Sequence, residues 1–428
     1  MIVELEYGKS TLPVAIPDAC DVTVIRKKPL PIIDDPRRAV REALDAPVAA
    51  APLSALAREK RSACILICDI TRPVPNALFL RPMIEDLLGA GIPAGEITVL
   101  VATGLHRPNE GAELDALVGD RWVLDTVRVE NHYARDDAAH VDLGVTAKRG
   151  TPVKLDRRFV EAGLRIATGL VEPHFMAGYS GGRKVVAPGI AHQDTIRTFH
   201  SARFMEDPAA IQCNLEGNPL HEEQVEIMAM LGDVYALNTV IDEERRLAHV
   251  NFGEIIESHT ASVEFVHGAC TVPVGRRFKT VVTSAAGHPL DKTYYQTVKG
   301  MVTPIDILDE GANLIVASDC SEGIGSEEYR AAQQRLVEAG PDGFLQQILH
   351  KRFADIDEWQ TEMQLKPMRR ARIQLYSGGL PEADRVLTGV DMVDSMESAI
   401  ARSVAESADQ AVAVIPEGPY VVPRYEAA

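Results

Sequence analysis

The chain has 428 residues, with 62 acidic and 44 basic side chains, so its formal charge is 44 − 62 = −18. At roughly 100–200 residues per domain this length holds two to three domains. The 46% apolar and 25% charged content is that of an ordinary globular protein, which excludes disordered, collagen-like and coiled-coil classes. The charge also excludes general affinity for nucleic acid or anionic membrane, since phosphate binding takes clustered Lys and Arg. An anionic small molecule remains open, because a local cationic cluster can oppose the global field.

The opening run MIVELEYGKSTLPVAIP has no basic region followed by an apolar one, so no signal peptide is expected. No stretch approaches the ~18 apolar residues of a membrane span. The six cysteines (Cys20, Cys64, Cys68, Cys213, Cys270 and Cys320) are scattered without a CxxC, and Cys64 and Cys68 lie in an apolar run where cysteine behaves as a small hydrophobe. The expectation is a cytoplasmic protein.

A first βαβ unit is predicted over residues 63–102. ACILIC reads as a buried strand, DITRPVPN as a turn, ALFLRPMIEDLLGAG as an amphipathic helix and EITVLVATG as the next strand. A further apolar run, LRIATGLVEP, begins at Leu164. The pattern restarts with KTVVTSAAGHPL at 279–290, a helical stretch, and the strand ANLIVASD, and DRVLTGV and AVAVIP bracket one more helix. This alternation predicts an α/β protein of two domains with mostly parallel sheets. The turn-rich, basic stretch ACTVPVGRRF (269–278) sets the expected division, 1–270 and 271–404, with 405–428 returning to the first domain.

VATGLH (101–106), IATGLVEPH (166–174) and TSAAGHP (283–289) each end an apolar strand with Gly and a nearby His. Ligands of open α/β sheets bind outside the carboxyl ends of the strands, so these histidines are candidates for one crevice. The densest segment is EPHFMAGYSGGRKVVAPGIAHQDTIRTFH (172–200). Its Gly178, Gly181 and Gly182 allow close backbone approach or turns with positive φ. It is not a P-loop, because Val185 follows Lys184 where Ser or Thr is required. Lys184 beside Arg183 reads either as part of an anion cradle or as a nucleophilic amine. His106, His174 and His200 can supply one metal ligand and a pair of acid/base groups, and no HExxH zinc helix is present. The other nine histidines read as surface or satisfied core residues. In DITRPVPN, Arg72 can take a carboxylate or phosphate through its planar fork, the bland alternative being a capping Asp69 or Thr71 with a solvent-facing arginine. In DKTYYQTVK (291–299), Gln296 and Lys299 share a helix face at i, i+3.

Together these segments resemble the nickel-pincer lactate racemase family: DxTRPxP, ATGLHRP, EPHxxxGxSGGRK with APGIA, a later His, and PLD…YQxxK occur in the family's order over about residues 2 to 425. The resemblance implies two α/β domains with the active site in the cleft between them. It implies a nickel-pincer nucleotide, a pyridinium-3,5-bisthiocarboxylic acid mononucleotide attached through Lys184, with nickel held by its sulfurs, a ring carbon and His200. Asp69, Thr71, Gly181, Gly182, Arg183 and Trp359 are implied to surround that cofactor. His106 and His174 are implied as the acid/base pair, and Arg72, Lys299, Gln296 and Tyr295 as substrate contacts. The implied activity is inversion of C2 of a 2-hydroxy acid, with lactate, malate, aromatic lactates and sugar acids all open, and Tyr294 as an added contact for a longer substrate. Implied partners are the enzymes that build the cofactor and a second copy in a homodimer. Two other classes stay open on residues alone: a non-catalytic anion-binding protein built on Arg183 and Lys184, and a zinc-dependent hydrolase or lyase using the same histidines.

Overall fold

The structure, a computed structural model, describes residues 1–427. The chain forms two compact units. The first comprises Pro29–Phe199 and Ala209–Gly268; the second comprises Met1–Lys28, His200–Pro208 and the chain from Ala269. Among the described residues no helix is long and apolar enough to cross a membrane.

The first unit is built on a six-stranded sheet in the order Leu247–Glu254, Tyr235–Ile241, Leu164–Leu170, Ala63–Cys68, Ile97–Ala102, Arg128–Asn131. All neighbours are parallel except the first pair, a hairpin at one edge. ACILIC and ITVLVA are apolar without alternation because helices cover both faces of a parallel sheet, and five of six residues in each are buried. The helix Asn76–Gly89 crosses between these two strands, burying Phe79, Leu80, Met83, Ile84 and Leu87 on one stripe. They pack on Ile65, Ile67, Val99 and Val101. This is the predicted βαβ unit.

The second unit has its own six-stranded sheet, all parallel, in the order Asp391–Met392, Ala371–Tyr376, Leu308–Ala317, Phe278–Ser284, Ala411–Ile415, Asp21–Val24. Val282, Ile315, Val412 and Val414 meet Ala399 and Ile400 of the helix Met396–Ser407 and the apolar side of an N-terminal hairpin, Val3, Leu5, Val14 and Ile16. Two domains with mostly parallel sheets were expected, and each unit carries a mainly parallel six-stranded sheet.

The division of the chain differs from the expected one. Residues 1–28 belong to the second unit, because Asp21–Val24 adds an edge strand beside Ala411–Ile415. Of the segment 405–428, the described residues do not return to the first unit; Val422–Tyr425 pairs with Thr271–Val274 instead. Both are four-residue strands, and a strand this short carries no local signal of the sheet it joins.

The Phe79 ring is fully enclosed in the first unit's core. Phe79→Ala is expected to cost about 3–5 kcal/mol of unfolding free energy in a urea titration, and a loss below about 1 kcal/mol would contradict that packing.

Candidate active site

The strand Ala63–Cys68 ends at Asp69, a carboxylate only 5% exposed. Its Oδ1 accepts the Thr71 hydroxyl at 2.5 Å and the Thr71 backbone N–H at 3.2 Å. Its Oδ2 lies 2.5 Å from Nδ1 of His106. Burial raises the Asp69 pKa, but the bonds and charge of His106, Thr71 and Arg72 outweigh it and hold the acid below its ordinary value. An ionised carboxylate accepts only, so Nδ1 of His106 carries a proton toward it. The His106 side chain is 62% exposed.

The neighbouring loops are tied together by amides. Ile70 donates its N–H to Asn109 Oδ1 at 3.3 Å, Asn109 donates its N–H to Asn131 Oδ1 at 2.9 Å, and Asn131 Nδ2 returns a bond to the Asn109 carbonyl at 2.9 Å. The loops after three adjacent strands are thereby held in register. His106 itself donates its backbone N–H to Thr103 at 2.9 Å, closing the turn that aims its ring.

Arg72 Nη1 donates to Oε1 of Glu172, which directly precedes Pro173 and His174. His174 is buried in a small hairpin, Pro173–His174 paired with Gly178–Tyr179. Its Nδ1 accepts the backbone N–H groups of Met176 and Ala177, each at 3.3 Å. A neutral imidazole that accepts at Nδ1 carries its proton on Nε2. Gly178 closes the hairpin with φ +75°, and a Cβ there would lie 2.3 Å from the Asn214 carbonyl oxygen.

Lys184 is half-buried in the short helix Arg183–Val186. Burial pushes the Cys68 thiol up to about 12, and the charges of Arg72 and Lys184 both act against that rise, so the Lys184 ammonium bears on the strand end that carries Asp69. The glycines before it serve the protein's own packing. A Cβ on Gly182 (φ +47°) would strike His259 at 2.9 Å, and Gly182 donates its N–H to Asn238 Oδ1 at 3.1 Å. A Cβ on Gly181 would meet Val171 Cγ2 at 2.6 Å. The expected approach of Gly181 and Gly182 to a ligand is thus not needed to explain them.

Arg183 departs from its expected place in an anion cradle. Its side chain is fully buried, Nε donates to His221 Nδ1 at 2.7 Å, Nη1 lies against the His259 ring, 3.3 Å from Nδ1, while His259 Nε2 donates to the Ser180 carbonyl at 2.9 Å, and Nη2 donates to the carbonyls of Ala177 and Tyr179 at 3.3 and 3.4 Å. Burial draws its pKa down to about 9, still charged at neutral pH. Burial, and then the Arg183 charge, lower His221 to about 3 and His259 well below its ordinary value. Two neutral imidazoles solvate this cation, and the guanidinium braces the turn that presents Lys184.

In the second unit the His200 ring packs on Trp359, centroids 5.0 Å apart, both side chains being nearly enclosed. Trp359 donates Nε1–H to the Tyr295 hydroxyl at 3.3 Å, and Gln360 Nε2 donates to the Tyr295 carbonyl at 2.6 Å. Burial, then the charge of Asp357, raises the Tyr295 pKa, so the phenol stays neutral. Gln296 follows on the helix Tyr294–Val302, and its Oε1 is buried without a hydrogen-bond partner among the described residues. Lys299 lies on the same face at half-burial. Tyr294 is not a substrate contact: its ring is fully buried and its hydroxyl donates to the Thr388 carbonyl at 2.7 Å.

The residues predicted from sequence thus fall into two groups, one per unit. Asp69, Thr71, Arg72, His106, His174 and Lys184 belong to the first; His200, Tyr295, Gln296, Lys299 and Trp359 belong to the second. Sequence reading missed Glu172, Asn109, Asn131, His221 and His259. Only Glu172 carried a signal, a charged residue held extended before Pro173 at the end of an apolar strand.

His221 makes the Arg183 cluster acid-sensitive. The unfolded chain protonates this imidazole near 6.5 and the folded one only near 3, so the stability it contributes is complete above pH 6.5 and is lost as pH falls toward 3. His221→Gln keeps an acceptor for Arg183 without a titrating proton. Thermal unfolding midpoints followed across that range are expected to fall less steeply for this variant than for wild type; parallel curves would remove His221 from the acid response.

Residues 7–212 match the lactate racemase N-terminal domain model, and residues 276–422 match the lactate racemase C-terminal domain model. The lactate racemase of Thermoanaerobacterium thermosaccharolyticum is 29% identical over 431 residues, covering 99% of each chain. That of Lactiplantibacillus plantarum is 30% identical over 391 residues, covering 89% of each. The solved lactate racemase apoprotein of T. thermosaccharolyticum superposes with a TM-score of 0.91 at 27% identity, over 99% of this chain and 100% of that one. A Thermotoga maritima protein of 17% identity shares the fold, with a TM-score of 0.66 over 87% of this chain and 96% of its own. With both domains matched in order and full-length relatives at this identity, the chain belongs to the lactate racemase family.

Proposed function

We propose that this chain is a racemase or epimerase that inverts C2 of a 2-hydroxy acid by proton-coupled hydride transfer, with a nickel-pincer nucleotide as its cofactor. Family membership supports an isomerase. The observation that carries the chemistry is the 2.5 Å contact of Asp69 Oδ2 with Nδ1 of His106. It fixes Nδ1 of His106 as the donor to Asp69, the orientation in which the neutral ring directs Nε2 as a base toward a hydroxyl.

The residues present fit the cofactor by their donor chemistry. Lys184 offers the amine for attachment, half-buried behind the Gly181–Gly182 turn. His200 offers an imidazole, a ligand type suited to Ni(II) alongside soft sulfur, and Trp359 holds its ring. When bound, the cofactor would supply a reversible acceptor for the C2 hydride.

The protein's own groups do the rest. Arg72 and Lys299 bind the carboxylate of the substrate and orient C2. Nε2 of His106 takes the proton of the C2 hydroxyl as the hydride leaves, which generates the planar 2-oxo acid. His174, working through Nε2, returns a proton to the oxygen when the hydride comes back with opposite configuration; the two histidines exchange roles for the other enantiomer. The partnerless Gln296 Oε1 is free to accept a substrate hydroxyl. Tyr295, tied to Trp359, walls the site. The side chain at C2 stays open among lactate-like and larger acids.

The two alternatives are weaker. The anion-cradle reading loses its anchor, because every Arg183 nitrogen faces protein. The zinc reading finds no group of three His, Cys, Asp or Glu placed to hold a metal among the described residues.

The test is production alongside the cofactor-building enzymes, followed by intact mass and nickel analysis of wild type and Lys184→Ala. Wild type is expected to carry nickel and a mass increment, both absent from the variant. Loaded wild type is then expected to invert C2 in a panel of lactate, malate, aromatic lactates and aldonic acids, with His106→Ala slower by about 10²–10⁴-fold. Loaded protein that inverts none of them would overturn the proposal.

A further inference from the structure

Arg72 is the group on which the proposed reaction seats the substrate carboxylate, yet its guanidinium has a carboxylate partner within the protein. Nη1 donates to Oε1 of Glu172, and the two side chains are 29% and 24% exposed. This is not a pair of solvated surface charges swinging on long stems. Glu172 is clamped at both ends of its peptide unit: its N–H donates to Ser180 Oγ at 3.1 Å, and its carbonyl accepts the Ser180 N–H at 2.9 Å. Ser180 Oγ in turn donates to the Leu170 carbonyl at 2.7 Å, inside the parallel sheet. Pro173 holds the Glu172 backbone extended. A carboxylate on so rigid a base fixes the plane of the guanidinium it accepts from, and with it the direction of the remaining donors.

The pair also spans the two loops that carry the proposed acid/base groups. Arg72 follows the Asp69 that holds His106, and Glu172 precedes His174 by two residues. An arginine held before substrate arrives has already lost the rotamer freedom that binding would otherwise remove.

We infer that Glu172 is a positioning residue for Arg72, setting the guanidinium for a substrate carboxylate and strapping the Asp69–Arg72 loop to the His174 hairpin. The inference rests on the proposed reading that Arg72 binds that carboxylate. Glu172 touches no reacting atom; it acts through Arg72.

Two measurements test it. The first is steady-state kinetics of the loaded enzyme on whichever 2-hydroxy acid it inverts. Glu172→Ala is expected to raise KM about tenfold with kcat changed less than about threefold, the signature of lost ground-state and transition-state binding together. Glu172→Gln, which retains an acceptor oxygen for Nη1, is expected to recover most of the loss, and Glu172→Ala is expected to add nothing to KM in an Arg72→Ala background. The second uses protein without cofactor: phenylglyoxal labelling of Arg72, read by peptide mass spectrometry, is expected to quicken in Glu172→Ala and to stay near the wild-type rate in Glu172→Gln, and thermal unfolding checks that both fold. An unchanged KM, a fall in kcat alone, or unchanged labelling in Glu172→Ala would each overturn the inference. Wild type that inverts no acid while Arg72 labelling quickens would instead overturn the proposed function and leave the Glu172–Arg72 strap standing.

Discussion

In a parallel sheet every strand leaves at the same edge, so the loops after neighbouring strands are neighbours whatever their separation in sequence. The first unit depends on that constraint. Ala63–Cys68 lies between Ile97–Ala102 and Leu164–Leu170, so the chain emerges at Asp69, Thr103 and Val171 side by side. Segments 37 and 100 residues apart thereby exchange direct bonds: Asp69 with His106, and Arg72 with Glu172. Asn109 ties the Asp69 loop and its own loop to Asn131, at the end of the next strand, Arg128–Asn131. Position on the edge comes from the sheet; aim comes from the hydrogen bonds made on it.

The same unit keeps a positive charge in its interior without an acid to neutralise it. Arg183 faces two histidines and two carbonyls. A buried cation without a counter-ion is tolerated only when hydrogen-bond acceptors replace its water, and imidazole supplies an acceptor only while neutral. The charge of Arg183 itself helps keep His221 and His259 neutral. The arrangement is self-consistent: the cation enforces the protonation state of the acceptors that solvate it. Its position immediately before Lys184 puts a rigid, fully bonded residue at the base of the one amine proposed to carry the cofactor.

In the second unit the ordering device is aromatic. His200 leaves the segment that holds Lys184 and joins the second unit with residues up to Pro208, where Trp359 packs on its ring. Trp359 is in turn bonded to Tyr295, whose carbonyl takes the Gln360 amide. The helix Tyr294–Val302 is thus set against Glu358–Met368 by side chains that also hold the proposed metal ligand and leave Gln296 Oε1 buried with its acceptor unused. A buried acceptor without a partner is costly in a finished core and makes sense where a ligand completes the bond.

The local sequence was enough for much of this. Runs such as ACILIC and ITVLVA lack polar alternation, as a strand covered on both faces requires, and turn residues bound them; the α/β class and the first βαβ unit follow from that and the helical pattern between them. The motif segments likewise name Asp69, Arg72, His106, His174 and Lys184, each at a strand end or in or just after a glycine-rich turn, and His200, which closes the segment that begins at Glu172. What the sequence could not state is partnership. Asp21–Val24 and Val422–Tyr425 are too short to declare their sheet, so the unit boundaries came only from the fold. Arg183 and Lys184 are adjacent and chemically alike in the sequence, yet the first is spent inside the protein; Tyr294 and Tyr295 diverge in the same way, one into the core and one toward Trp359. Periodicity reports which residues are buried, whereas the bonding of a polar side chain depends on groups brought near by tertiary packing, and those lie far away in the chain.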